Sequence, residues 1–172
     1  MKVTRSDTTL LITCEHGGND IPVQYSTRFK NFRKLLQTHR GYDPGALALA
    51  RDVSKALNAE LVYSTTSRLL VELNRSPGHP QLWSEATSAL TPAERERLMD
   101  RYYRPYRAQV KTQVASAIAS GRRVVHVSCH SFTPRLHGEV RRADIGLLYD
   151  PRRKMERELC LAWQHTIREI PG

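Results

Sequence analysis

Two short, largely apolar segments, each followed by a histidine, most constrain how this chain can fold. The segment Thr9–Thr13 leads into His16. The segment Arg123–Ser128 leads into His130. Runs of this length are typical of strands in a buried parallel sheet. Open α/β sheets bind their ligands just outside the carboxyl ends of such strands, so both imidazoles are expected in a binding region.

Further elements are predicted from helix start signals and from short apolar runs. Asp43 suits a helix N-cap, and Pro44 suits the first helical position. Thr91 opens a capping-box pattern for a long helix that ends before Gly121 and that Pro105 bends or divides. We also predict a short helix over Phe29–Thr38, strands over Glu60–Ser64, Leu69–Leu73 and Asp144–Tyr149, and a final helix over Arg152–Arg168.

The alternation of strands and helices predicts an α/β fold, with a mostly parallel mixed sheet flanked by helices in three layers. The 172 residues are expected to form a single domain over 1–172. A hydrophobic fraction of 40% and a charged fraction of 26% are typical of a soluble globular protein. No run of 18 apolar residues occurs and the amino terminus is polar, so we expect a cytoplasmic protein without membrane contact.

The net charge of +10 makes nucleic acid a partner to consider. The basic residues are dispersed, however, and no aromatic–basic motif accompanies them, so nucleic-acid binding is the weakest of the partner classes. A basic field would also attract a small dicarboxylate. The three cysteines, Cys14, Cys129 and Cys160, form no paired framework. Cys14 and Cys129 lie close to the two histidines and could be metal ligands or a redox pair, but we expect them to be small buried hydrophobic residues.

His16 and His130 are the strongest candidates for metal ligands. A catalytic zinc ion is usually held by three protein ligands drawn from His, Asp, Glu and Cys. The third ligand stays open from the residues alone: Glu15 and Asn19 lie beside His16, and Asp43 heads the next helix. His39, four residues before Asp43, is a weaker alternative. A simple N-cap also explains Asp43.

Polar residues between the two histidines suit an anionic substrate. Arg68 and Arg75 suit two different roles, because one guanidinium can stabilise an oxyanion and another can clamp a carboxylate through two hydrogen bonds. Asn74 would help to orient the substrate. Metal-assisted hydrolysis also needs a carboxylate acid or base, for which Glu139 and Asp144 are available after His130.

Several motifs, each weak alone, occur together in one order along nearly the whole chain. They are CEHGGNDIP (14–22), HRGYDPGA (39–46), SRLLVELNR (67–75), YYRPY (102–106), HSFTP (130–134) and DIGLLYD (144–150). By this set the chain resembles the N-formylglutamate amidohydrolase family, which shares the fold of zinc-dependent carboxypeptidases and aspartoacylases.

The resemblance implies hydrolysis of the amide bond of a small anionic N-acyl amino acid, such as N-formylglutamate. It implies Zn²⁺ as the cofactor, with His16 and His130 as ligands. The stretch that begins at Asp43 is similar to the one around the acidic ligand of aspartoacylase-like enzymes. The resemblance therefore favours Asp43 over Asn19 or Glu15 as the third ligand.

The resemblance also implies roles in substrate binding. Arg68 would polarise the scissile carbonyl, while Asn74 and Arg75 would hold the substrate carboxylate. The HSFTP motif adds Ser131 and Thr133 as candidate substrate contacts.

Members of the family are usually longer and continue through a further strand whose Glu is expected to act as general base. We expect this chain to lack that part of the fold. Either Glu139 or Asp144 then takes the catalytic role, or the chain is a catalytically impaired module that binds carboxylates. An unfinished sheet edge would also favour pairing with a second copy of the chain.

Overall fold

The computed structural model describes residues 7–136 and 138–170. The chain forms two compact units, Met1–Phe132 and Thr133–Gly172, which we call the first and second units. The prediction of one domain over the whole chain stays a prediction. Each unit is described by itself below.

The first unit is built on a parallel sheet of three strands. These are β1 (Thr8–Cys14), β2 (Glu60–Tyr63) and β3 (Arg123–Ser128), in the order β2-β1-β3. The predicted α/β class and the parallel pairing are confirmed. The expected mixed sheet is not found, because all three strands of this sheet run in the same direction.

Helices lie on both faces of this sheet. Successive side chains of a strand point to opposite faces. Leu11 packs in a cluster with Tyr106, whereas Ile12 packs in another with Ala46 and Ala50. The first unit is therefore layered as helix, sheet and helix. Its helices are α1 (Arg33–Leu36), α2 (Ala46–Leu57), α3 (Pro92–Leu98) and α4 (Arg104–Ala119), with 3₁₀ turns at Val23–Tyr25 and Lys30–Phe32.

The predicted long helix is divided, as its proline suggests. Thr91 forms the expected capping box, in which its hydroxyl accepts the Glu94 N–H and its own N–H donates to the Glu94 side chain. A π-helical turn over Met99–Tyr103 joins α3 to α4, and Pro105 lies in the first turn of α4. Proline lacks the N–H of a regular helix, so a local change of helical geometry is expected there. Gly121, with φ of 73°, follows the end of the helix.

The predicted strand over Leu69–Leu73 is wrong, and these residues form turns. The segment is apolar because it is buried, with Leu70 and Val71 fully inaccessible. Its backbone is satisfied outside any sheet ladder: the Leu70 N–H donates to Ser67, and the Glu72 N–H donates to Leu82. Apolar content alone does not distinguish such a turn from a short buried strand.

The second unit contains a small antiparallel pair and one helix. Strand β4 (Arg135–Leu136) pairs with β5 (Glu139–Val140), and α5 spans Lys154–Arg168. The predicted strand over Asp144–Tyr149 is also wrong: the segment has no regular structure, and Leu148 is 95% exposed. None of the helices in the two described ranges is both long and apolar enough to cross a membrane.

Candidate metal centre

The two strand-end histidines meet at one edge of the sheet. Strands β1 and β3 are parallel neighbours, with Thr13 opposite Ser128. His16 and His130 each follow two residues after the end of their strand, so the chain carries both rings to the same edge. Their ring centroids lie 5.0 Å apart. The pairing expected from the sequence thus has a direct cause in the register of the sheet.

Asp43 completes a group of three potential ligands with these histidines. Its Oδ2 lies 2.7 Å from His130 Nδ1 and 3.4 Å from His16 Nδ1. One ligand atom from each of the three residues lies within 4.8 Å of the others. Asp43 is held in place because its N–H donates to the carbonyl of His16 at 2.9 Å.

The alternative third ligands hold other contacts, and Glu15 Oε2 lies 3.6 Å from His130 Nε2, the ring nitrogen that does not face Asp43. Asn19 donates from Nδ2 to the carbonyl of Leu36 at 3.0 Å. Glu15 accepts hydrogen bonds from Tyr106 at 2.9 Å and from Ser128 at 2.6 Å. The structure therefore groups Asp43 with the two histidines, in agreement with the resemblance.

Asp43 does not act as a helix N-cap, contrary to the local sequence pattern. Helix α2 begins at Ala46, and its N-cap is Gly45, with φ of 81° and no capping side chain. The carboxylate of Asp43 instead faces the histidines and Arg68, whose Nη1 lies 3.4 Å from Oδ1. The Asp43 carboxylate is therefore engaged with charged partners and does not cap the helix.

Hydrogen bonds between the acids and the histidines of the site shift the pKa values of Asp43 and His16. Burial alone would raise the pKa of Asp43, but the hydrogen bonds with His130 and His16 hold it well below its usual range. Burial alone would lower the pKa of His16, but Asp43 and Glu72 raise it above its ordinary value. In the absence of a metal ion, the acidic side chains thus favour a protonated His16.

Glu72 belongs to the site and was missed in the sequence. It is 6% exposed, and its Oε1 lies 2.5 Å from His16 Nε2. Burial would raise the pKa of Glu72, but its bonds with His16 and the charge of Arg68 lower it to about 2. A signal was present: Glu72 is the one acidic residue inside the apolar stretch 69–73.

Arg68 lies beside the ligands, as predicted. Its Nη2 contacts Glu72 Oε2 at 2.7 Å, and its Nη1 points to Asp43. The side chain is 28% exposed and is thus partly open to solvent.

Asn74 and Arg75 lie on the same loop. Asn74 Nδ2 is 3.4 Å from His130 Nε2. The Arg75 side chain makes a long bond, 3.4 Å, from Nη1 to the carbonyl of Asn74. Its Nε is buried and has no hydrogen-bond partner among the described atoms. A buried cationic donor without a partner is unusual and suits an anionic ligand.

The remaining predicted site residues fall into two groups. Ser131 lies in the first unit, with its hydroxyl 3.3 Å from His39 Nε2. Thr133, Glu139 and Asp144 belong to the second unit, where both acids are exposed. The roles given to these residues stay predictions.

Cys14 and Cys129 are small core residues, whereas Cys160 is only partly buried. Cys14 and Cys129 are buried together with Ile12 beneath α2. Burial raises the pKa of the Cys14 thiol to about 12, so the reactive thiolate is disfavoured.

The donor set fits a divalent transition metal. Two imidazoles and one carboxylate match the three-ligand pattern of catalytic zinc sites, in which a fourth position is left for water or substrate. A second carboxylate on the far nitrogen of His16 matches the outer partners of metal-bound histidines. The residues present therefore suit the cofactor that the resemblance implies.

The fold and this site define a class of protein: an α/β protein with a His–Asp–His group at the carboxyl edge of a parallel sheet. The sequence pattern of the family described as N-formylglutamate amidohydrolase matches residues 8–169. The chain belongs to this family. No curated protein sequence matches it.

A solved structure is similar to most of this chain. It is the gene product Atu2144 from Agrobacterium tumefaciens, with 34% sequence identity and a TM-score of 0.80. The match covers 90% of this chain and 64% of the Atu2144 chain. This chain thus matches less than two thirds of the length of that relative.

Proposed function

We propose that this protein is a zinc-dependent amidohydrolase that cleaves the amide bond of N-formylglutamate or a closely similar N-acylated acidic amino acid. The observation that carries the proposal is the group formed by His16, Asp43 and His130 in a member of this family. When bound, the metal ion supplies the Lewis acidity for attack of water on the amide carbonyl.

Arg68 is the proposed electrophilic partner of the carbonyl oxygen. Its guanidinium is held by two carboxylates, at 2.7 Å from Glu72 and 3.4 Å from Asp43, and is still partly open. A fixed donor that faces developing negative charge stabilises an oxyanion without having to reorganise. This arrangement supports the role that the resemblance gives to Arg68.

Arg75 and Asn74 are the proposed contacts for the substrate carboxylate. The Nε of Arg75 is buried and has no hydrogen-bond partner among the described atoms, which supports a role in binding an anion. A guanidinium binds a carboxylate through two parallel hydrogen bonds. The same chemistry accounts for a preference for glutamate-like side chains, and Ser131 and Thr133 are proposed to complete the pocket.

A second candidate function is a carboxylate-binding module with little turnover. It is favoured by one observation: the three buried carboxylates of the first unit at this site, Asp43, Glu72 and Glu15, are all engaged with donors. A general base needs a free lone pair directed to the attacking water. Glu139 and Asp144 are the proposed bases if the chain turns over.

The test is release of the free amino acid by the zinc-loaded chain from a panel of N-formyl and N-acetyl amino acids, with formate or acetate as the second product. We expect N-formylglutamate to be cleaved and N-formyl-leucine to react far more slowly, because leucine lacks the side-chain carboxylate that Arg75 is proposed to bind. The Arg75→Gln variant should lose most of this preference through a higher KM. Arg101→Gln, an arginine of the π-helical turn, is the matched control and should leave the preference unchanged.

No cleavage of any substrate, together with cleavage by a longer relative, would contradict the hydrolase. Calorimetric binding of glutamate to the inactive chain would then support the binding module.

A further inference from the structure

The carboxylate of Glu72 contacts two functional groups at once, and we propose that Glu72 is a positioning residue: it fixes His16 with Nδ1 towards the metal and holds Arg68 beside it. This inference deepens the proposed function and rests on the metal site proposed there. Glu72 is buried and serves neither as a metal ligand nor as a base in the proposed reaction.

Each carboxylate oxygen of Glu72 contacts two donor groups. Oε1 lies 2.5 Å from His16 Nε2 and accepts the backbone N–H of Asn74 at 2.9 Å. Oε2 lies 2.8 Å from Nε and 2.7 Å from Nη2 of Arg68. Both oxygens are thus surrounded by donors. An ionised carboxylate only accepts hydrogen bonds, so His16 must carry its proton on Nε2.

The consequence for His16 follows from the chemistry of imidazole. With Nε2 protonated, the neutral ring keeps its lone pair on Nδ1. Nδ1 is the atom that faces Asp43, 3.4 Å away. The ring is therefore set in the tautomer and orientation that a metal shared with Asp43 and His130 requires. Outer carboxylates fix metal-bound histidines in this way.

Glu72 is placed to position rather than to ligate. It contacts the ring nitrogen of His16 opposite to the one that faces Asp43. Among the described residues, the group that could share one ion contains His16, Asp43 and His130 but not Glu72.

The backbone around Glu72 makes this support rigid. The flanking residues Val71 and Leu73 are 0% and 1% exposed, and both pack in the core cluster of β1. The Glu72 N–H donates to the carbonyl of Leu82 at 3.1 Å. A carboxylate on such a fixed segment can hold a ring in one orientation with little loss of entropy.

The test measures zinc affinity by competition with a chromophoric chelator, for wild type, Glu72→Gln, Glu72→Ala and His16→Ala. We expect Glu72→Ala to bind zinc roughly 10–100-fold more weakly than wild type. Glu72→Gln should lose less, because the amide oxygen still accepts the Nε2 proton. Glu85→Gln, which removes an exposed partner of Arg40, is the matched control and should bind as wild type does.

Nitrogen-15 NMR of the histidines gives a second readout that a merely structural role would not move. The zinc-loaded wild type should show His16 with a proton on Nε2 and with Nδ1 bound to the metal. Zinc-loaded Glu72→Gln should show faster exchange of that proton. The Gln variant keeps the size of the side chain, so it tests the proposal even if Glu72→Ala does not fold.

Three outcomes would overturn the proposal. Equal zinc affinity in wild type and both Glu72 variants would refute the positioning role of Glu72 and leave the proposed metal site intact. A loss as complete as that in His16→Ala would make Glu72 a ligand. No zinc binding by the folded wild type would refute the proposed metal site itself, and the proposal with it.

Discussion

The site consists of ionisable side chains that are buried only because they pair. His16 and Asp43 are 2% and 3% exposed, and an isolated charge at such depth would cost several kcal/mol. Each acid meets at least one basic group: Asp43 meets the histidines, and Glu72 meets His16 and Arg68. Removing one member therefore leaves its partners uncompensated.

The two histidines of the site could be predicted from the sequence, whereas Glu72 could not. Both histidines were predicted because an imidazole directly after an apolar strand has no packing role. Glu72 was missed because the apolar residues on both sides favour a buried strand, in which an acid looks like an isolated exception. Its partner His16 is 56 positions away in sequence, and no local pattern reports such a contact.

The lowered pKa of Glu72 predicts how the stability of the metal-free protein depends on pH. The ordinary pKa of the side chain is 4.5, and the folded value is about 2. Between these values the unfolded state binds the proton and the folded state does not. The free energy of unfolding should therefore be fully supported above about pH 4.5 and fall as the pH drops towards 2.

Denaturant titrations of metal-free wild type and Glu72→Gln across this window check the expectation. Wild type should lose roughly 1–3 kcal/mol more than the variant. The pKa of His16 is raised above its ordinary value of 6.5, so His16 changes the free energy of unfolding only above that pH. It therefore does not mask the effect of Glu72 between about pH 2 and 4.5. If the free energy of unfolding fell equally with pH in the two proteins, Glu72 would not be an ionised, paired group in the folded state.

The main strands and helices of the first unit were predicted from the sequence, but the turns that support the site were not. Strand β3 matches its predicted bounds, Arg123–Ser128, and the capping box at Thr91 is present. The turns over Leu69–Leu73 carry Arg68 and Glu72 into the site, yet their apolar content resembles that of a strand. Only contacts with distant parts of the chain, such as the bond from Glu72 to Leu82, determine their course.

The loop after β1 packs closely against the loop after β2, which predicts a steric effect at Gly18. A Cβ at this position would lie 2.6 Å from the carbonyl oxygen of Thr65 and 2.9 Å from its Cα. Backbone atoms cannot move aside cheaply, so Gly18→Ala should destabilise the first unit by about 1–3 kcal/mol. Urea unfolding measures this loss.

The control for this prediction is Gly146→Ala. A Cβ there would meet only the end of the Leu148 side chain, at 3.8 Å. It should leave the free energy of unfolding of the first unit unchanged. If Gly18→Ala also left the free energy of unfolding unchanged, the two loops would not be packed as described.

For the whole molecule, the sequence was sufficient to predict the α/β class and the family. The family motifs span almost the entire chain in order, and the match over residues 8–169 confirms them. The division into two compact units at Phe132 could not be predicted, because no change in composition marks it. The chain matches 64% of the Atu2144 chain, so turnover by the whole protein remains a proposal.

The central claim is that His16, Asp43 and His130 hold one metal ion. The most direct test is zinc content by plasma mass spectrometry after zinc loading and removal of free metal. Wild type, His16→Ala, Asp43→Ala and His130→Ala are compared with His126→Ala, a histidine within β3 that contacts Thr13 instead of the site.

We predict roughly one zinc ion per chain in wild type and His126→Ala, and none in the other three variants. A folded wild type without zinc would contradict the account, as would zinc retained in full after loss of any one of the three ligands.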